Sequence, residues 1–258
     1  MSETARMPVV FIGHGSPMNA IEDNEFTETW RKIADSIPRP KTVLVVSAHW
    51  YVQGTKACDL AAPRMIYDMY GFPKELYQVA YPAKGSPEIA RMAVERIGRG
   101  ASLDDSWGFD HGAWSVLSRM YPGADIPAFQ LSVDRSAAAR THFDIGRSLS
   151  ALRDEGVLIL GSGNVVHNLA MVDWEMEGGY PWALEFDAYI KGRIVEGRYD
   201  DVVDYRSAGG SAHSAFSAPD HFYPLLYVLG ASGKGDELSV LNEACVMGSL
   251  SMTCYVLG

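Results

Sequence analysis

His14, His49 and His167 each stand a few residues beyond a short β-branched run: Val9 to Ile12 (VVFI), Thr42 to Ser47 (TVLVVS) and Val157 to Leu160 (VLIL). In open α/β sheets ligands bind in the crevice past the carboxyl ends of the strands, so these imidazoles can converge although they are far apart in sequence. Small and turn-forming residues wrap them, with Gly13, Gly15, Ser16 and Pro17 around His14 and Gly161, Ser162, Gly163 and Asn164 ahead of His167. Such loops let backbone approach a ligand closely and fix side-chain direction. One histidine after a strand is ordinarily a hydrogen-bonded structural residue; three in equivalent positions point to a metal site. Imidazole suits Zn, Cu, Fe and Ni alike, which leaves the metal open.

The other histidines differ by context. His111 lies in Trp107-Gly108-Phe109-Asp110-His111-Gly112-Ala113-Trp114, where Asp110 can cap a helix and the imidazole can act as an acid, a base or a substrate contact in an aromatic pocket. His221 follows Ala218-Pro219-Asp220 and opens an apolar helix, where Asp220 can serve simply as an N-cap or the helix N-terminus can present a ligand into a cleft. His213 sits in Gly209 to Ser217 (GGSAHSAFS), a small-residue loop long enough to suggest mobility, and is a candidate substrate contact. Ser16 and Tyr223 are further candidate substrate contacts, and Trp50, Trp107, Trp114 and Phe216 are available as aromatic walls. His142, in a charged amphipathic segment, is expected at the surface. The chain has no G-x-G-x-x-G after a strand, no P-loop, no H-E-x-x-H and no G-x-S-x-G, so nucleotide-binding and serine-hydrolase chemistry lose their usual support.

Alternation of short apolar runs with helix-patterned segments predicts an α/β domain on a largely parallel sheet. Asn24 to Ile37 spaces Phe26, Trp30, Ile33 and Ile37 by three and four and ends at Pro38, which predicts a helix with one apolar face. Further helices are expected over Pro87 to Ile97, His111 to Tyr121, Ser136 to Arg153, Trp182 to Glu196 and Phe222 to Leu229. Ala128 to Val133 reads as a strand, and Val246 to Val256 as a closing strand.

Length and composition bound the rest. The 258 residues, 47% hydrophobic, suffice for one sizeable core. With 22 Lys+Arg against 32 Asp+Glu the formal charge is −10, so phosphate backbones and anionic lipid are repelled and no nucleic-acid or membrane partner is expected. Three cysteines without a C-x-x-C pair fit a reducing, cytoplasmic setting. No apolar run approaches the roughly 18 residues of a membrane span. The oligomeric state stays open between a monomer and a small homo-oligomer.

Five histidine motifs, in order, carry a resemblance: Gly13-His14-Gly15-Ser16-Pro17-Met18, Ser47-Ala48-His49-Trp50, Trp107 to Gly112, Gly161-Ser162-Gly163-Asn164-Val165-Val166-His167-Asn168, and Pro219-Asp220-His221-Phe222-Tyr223-Pro224-Leu225. Together they resemble the DOPA extradiol dioxygenase family, within the class III (LigB-type) extradiol ring-cleavage dioxygenases, over nearly the whole chain. The resemblance implies a three-layer α/β/α sandwich around a mainly parallel sheet, a single catalytic domain over 8–258 behind a flexible tail at 1–7, and a non-haem Fe(II) site that opens a small catechol with O₂. It implies His14, His49 and His221 as metal ligands. His167 becomes the catalytic acid/base, entering the coordination sphere when substrate is absent, and His111 a second catalytic histidine. An all-histidine site departs from the two-histidine, one-carboxylate pattern common in non-haem Fe(II) oxygenases, and it accepts Zn²⁺ equally. Asp220 is the one nearby carboxylate that could restore a mixed site. Two rival classes remain: a zinc hydrolase on the same histidines, and a non-catalytic binding relative of the fold. No arginine in the matched motifs offers a carboxylate clamp, so DOPA, caffeate, protocatechuate-like acids and simple catechols all stay open as substrates.

Overall fold

A computed structural model describes residues 6–258. The chain runs from β1 (Val9–Gly13) through α1 (Glu25–Ser36) to β2 (Thr42–Val52) and β3 (Thr55–Cys58). Next come α2 (Pro87–Ile97), β4 (Ala101–Asp104), α3 (His111–Met120), β5 (Ala128–Asp134), α4 (Ala139–Leu149) and β6 (Val157–Gly163). The last part holds α5 (Pro181–Val195), α6 (Tyr199–Val203), α7 (Gly210–Ser214) and α8 (Tyr223–Ala231), then β7 (Leu238–Leu241), β8 (Cys245–Val246), β9 (Leu250–Ser251) and β10 (Cys254–Leu257).

Eight strands form one sheet in the order β4-β3-β5-β2-β6-β1-β10-β7. Its centre is parallel, β5 to β2 to β6 to β1, and β3 and β10 run antiparallel against that centre on either side. Every residue of β1 and β6 is buried, as expected for a sheet covered on both faces. Side chains alternate between two cores. Val10, Ile12, Val43 and Val45 pack with Trp30 of α1 and Trp114 of α3, whereas Val9, Phe11, Leu44 and Val46 pack with Ala90 of α2, Ile145 of α4, Phe186 of α5 and Leu225 of α8. The result is the three-layer α/β/α arrangement. α1 starts at a capping box, Asn24 Oδ1 accepting from Thr27 N at 3.0 Å and Thr27 Oγ1 from Asn24 N at 3.0 Å, which satisfies two of the helix's otherwise unpaired N–H groups.

Registry sets the site. Gly13 pairs with Gly163 and Ser47 with Ser162, so the carboxyl ends of β1, β2 and β6 lie level. The chain leaves β1 and β2 toward one edge of the sheet and β6 toward the other, making this a topological switch point.

Several expectations are revised. β2 continues to Val52, so His49 lies within the strand rather than after it, in a stretch where pairing with β5 breaks between Val46 and Tyr51. Such irregularities re-aim side chains. The expected strand over 246–256 is divided into β8, β9 and β10, because Met247 and Gly248 adopt φ of 50° and 75° and reverse the chain. The small-residue stretch at 209–217 contains α7 instead of being wholly loop. Residues 1–5 of the expected tail lie outside the described residues. At its inner end Met7 is buried, and its carbonyl accepts from Arg153 Nε at 2.6 Å.

His142, expected at the surface, is fully buried between α4 and α8, its ring 4.2 Å from that of Tyr223 and its Nδ1 3.0 Å from Tyr227 Oη. Burial pushes its pKa down to about 4. Between there and the ordinary value of about 6.5 the unfolded chain takes up a proton that the folded one refuses, so stability falls as pH drops through that window, by on the order of 3 kcal/mol. His142→Phe should remove this share of the acid sensitivity. The midpoint of urea unfolding should then drop less between about pH 7 and about pH 4 than in the parent chain.

Candidate active site

Backbone hydrogen bonds hold His14 and His167 in place, and side-chain carboxylates position His111. His14 N donates to Gly163 O at 3.0 Å, and His14 O accepts from Asn19 Nδ2 at 3.0 Å. Asp110 caps α3 by accepting from Ala113 N at 3.1 Å, and it is anchored in turn by Ser47 Oγ and Gln130 Nε2, each at 2.7 Å. That cap places His111 as the first helical residue. Burial, and then the charge of Asp68, push the Asp110 carboxyl pKa upward against these hydrogen bonds. His167 N donates to Ala215 O at 2.8 Å, and Ser251 N bonds Val166 O at 3.0 Å, so the loop after β6 is fixed from both sides.

Two glycines of the motifs have steric reasons. A Cβ on Gly163 would stand 2.1 Å from His221 O, and one on Gly112 would stand 2.7 Å from His49 Cδ2. Glycine at these points lets His221 seat against the end of β6 and α3 seat against His49.

The structure brings five of the seven histidines into one group. One ring nitrogen each of His14, His49 and His221 lies within 4.8 Å of the other two. The His167 and His221 rings stack at 3.4 Å between centroids and 4° between planes, and His111 lies 3.7 Å from His49 by centroid. They line a cavity of about 480 Å³ together with Ser16, Asp68 and Asp220. Burial, reinforced by the neighbouring imidazoles, pushes the pKa values of His14, His49 and His167 well below the ordinary imidazole range. These rings are therefore neutral at neutral pH.

Hydrogen bonds settle which nitrogen of His14 is free. Ser162 Oγ spends its one proton on Gly112 O at 2.6 Å, so at 2.9 Å it accepts from His14 Nδ1–H. Asp68 Oδ2, 3.3 Å from His49 Nδ1, likewise takes the proton side of that ring. The Nε2 lone pairs of His14 and His49 then face each other at 3.3 Å, an arrangement that repels unless a cation lies between them. This separation matches two adjacent ligands each about 2.1 Å from a common ion. Both ring nitrogens of His221 are buried without a hydrogen-bond partner, although Nδ1 lies 3.2 Å from Asp220 Oδ2. Three unshared imidazole nitrogens converging in this way fit a metal ion.

Sequence reasoning missed Asp68 and the role of Ser162. Asp68 Oδ1 accepts from His111 N at 2.9 Å, and its Oδ2 is 3.0 Å from His111 Nδ1 as well as 3.3 Å from His49 Nδ1. Burial opposes its ionisation, but contact with His111 outweighs it and holds the carboxyl below its usual pKa. Asp68→Asn should therefore weaken metal retention or turnover by about 10–100-fold, the usual cost of losing an outer partner of a ligating histidine. Metal titration and kcat on the same preparation check this.

Other candidates fall elsewhere. His213 is exposed, bonded through Nδ1 to Gly209 O at 3.0 Å, and lines a separate cleft with Tyr205 and Arg206. Tyr223, the first residue of α8, packs on His142 in the core rather than at the cavity. Asp220 does not cap α8, whose preceding residue Phe222 makes no side-chain cap, and faces His221 instead. Trp50, Trp107, Trp114 and Phe216 do not line the cavity: Trp50 stacks on Trp107 at 5.9 Å, and Trp114 and Phe216 are core residues. The cavity's aromatic groups are Tyr70, Phe72 and Trp174.

Comparison with known proteins bears on this arrangement. The family model described as the catalytic LigB subunit of aromatic ring-opening dioxygenase matches residues 8–258. The chain is 47% identical to an Escherichia coli K12 protein named 4,5-DOPA dioxygenase extradiol, covering 100% of this chain and 97% of that one. It is 37% identical to a Beta vulgaris protein of the same name, over 95% and 94% of the two chains. A crystal structure of an uncharacterized protein from E. coli K12 superposes with a TM-score of 0.85 at 43% identity, covering 98% of this chain and all of that one. LigB dioxygenases use a non-haem metal, and the donor set described above suits one. No helix among the described residues is long and apolar enough to cross a membrane. The chain belongs to the LigB family of aromatic ring-opening dioxygenases.

Proposed function

We propose that this dioxygenase opens a DOPA-like catechol on the extradiol side, with His14, His49 and His221 holding Fe(II) and His167 and His111 handling protons. The observation that carries the reading is the convergence of three unshared imidazole nitrogens on a cavity whose other two histidines lie beside them. Bound there, the metal supplies the positive charge that attracts a catecholate and the electronic link between ring and O₂.

Three neutral imidazoles leave that charge undiminished, which suits an anionic substrate on an otherwise acidic chain. His167, held neutral by burial, takes the proton released from a catechol hydroxyl and returns it to the oxygen that leaves as the O–O bond breaks. His111, held through its backbone N–H by Asp68 and with Nδ1 3.0 Å from Asp68 Oδ2, keeps Nε2 available to hold the second hydroxyl. In keeping with the family's chemistry, the reaction partners are a small aromatic compound and O₂, and the proposed location is the cytoplasm.

Fe(II) added anaerobically to metal-free protein, followed by a catechol panel in an oxygen electrode, tests the proposal. Uptake of O₂ with a coloured ring-fission product is expected. Silence of the electrode across the panel would sink it, and metal-dependent turnover without O₂ uptake would favour hydrolysis.

A further inference from the structure

Charge is distributed unevenly around the histidine cavity. Asp68 and Asp220 both line it, and among the described residues no lysine or arginine does. Arg206 lines the separate cleft beside Pro219. Asp68 is committed, both of its oxygens lying against His111 and His49. Asp220 is not: one oxygen stands 3.2 Å from His221 Nδ1, and the side chain stays 28% exposed. Tyr70 and Trp174, 92% and 71% exposed, line the same cavity, and aromatic faces attract cations, not anions.

Resting on the ring-opening reading above, we propose that the cavity selects catechols whose side chain ends in an ammonium group over catechols whose side chain ends in a carboxylate alone. With the ring hydroxyls directed at the histidines, the opposite substituent extends toward the mouth. An ammonium there meets the accessible oxygen of Asp220 and the faces of Tyr70 and Trp174. A carboxylate at the mouth meets two like charges and finds no lysine or arginine to pair with, and such a juxtaposition is a strong basis for rejection. The chain's net charge of −10 acts in the same direction at longer range. A zwitterionic amino acid falls between the two, its ammonium recognised and its own carboxylate left to solvent.

The test uses dopamine and dihydrocaffeate, which share the catechol and differ in the charge at the end of the side chain. Calorimetric titration of the metal-free protein under nitrogen should show the amine binding about tenfold tighter or more. The gap should narrow as salt is added. In the Fe(II)-loaded enzyme, kcat/KM should follow the same order, with L-DOPA between the two. Asp220→Asn should bring the amine-to-acid ratio toward one. The ratio is the readout because Asp220 also faces His221, and a general loss of rate would not change it. Tyr70→Ala, at the rim, should lower the same ratio by raising KM for the amine. Equal or tighter binding of the acid, or equal or faster turnover of it, overturns the proposal. A clear amine preference in binding with no O₂ uptake on any catechol would instead uphold the charge selection and overturn the ring-opening reading.

Discussion

His167→Ala is expected to retain metal while losing ring opening by about 10²–10⁴-fold in kcat, the range over which a positioned acid/base acts. The His167 ring lies flat on that of His221 at 3.4 Å, whereas the groups whose donor atoms can share an ion are His14, His49 and His221, and a second set of His49, Asp68 and His111, neither of which includes His167. Removing the stacked ring therefore leaves the proposed ligands in place. Its main chain is fixed by the bonds to Ala215 O and between Val166 and Ser251, which do not need the side chain. Metal analysis and single-turnover kinetics on one preparation separate the outcomes. Loss of metal along with activity would reassign His167 as a ligand.

His221→Ala should instead abolish metal retention, and turnover with it. His14, His49 and His221 form the all-imidazole group, and none of the three brings a compensating negative charge, so loss of one should exceed the 10–100-fold typical of an outer partner, whereas retention of metal would point to the other donor set, His49, Asp68 and His111. Burial first, and then their mutual repulsion when charged, hold His14 and His49 well below the ordinary imidazole pKa. A proton therefore competes with the metal only well below about pH 6.5, and the parent chain should keep its metal through mild acidification. Retention of metal by His221→Ala would show that this ring is not a ligand.

His14 and His167 were legible because the rule that strand ends carry sites needs only strand positions, and β1 and β6 are marked by unbroken apolar runs; His111 and His221 entered through the resemblance of their motifs. That the strand-end histidines can converge follows from the strand-end rule; that they do depends on the registry, seen only in the structure, which places the ends of β1, β2 and β6 level. Asp68 was not. It lies in the segment between β3 and α2, which contains no α-helix and no strand of the main sheet, and its value comes from pairing with His49 and His111 at long range. The aromatic walls were misjudged for a related reason. Trp50 and Trp114, close to motif histidines in sequence, are buried away from the cavity, and Trp107 stacks on Trp50, while Tyr70 and Trp174 reached the cavity from loops without periodicity. His142 was read from the polarity of its helix, and that pattern does not reveal that α8 covers the ring with Tyr223 and Tyr227.

Isotope labelling tests ring opening at the histidine cavity most directly. Metal-loaded protein is supplied with a catechol and ¹⁸O₂ in ordinary water, and the product is trapped by rapid reduction before its aldehyde oxygen can exchange. The account predicts one product carrying both labelled oxygens, one in the new carboxylate and one in the trapped aldehyde, formed by the parent chain and lost in His167→Ala. A product whose added oxygen comes from water, or undiminished labelling in His167→Ala, would contradict it.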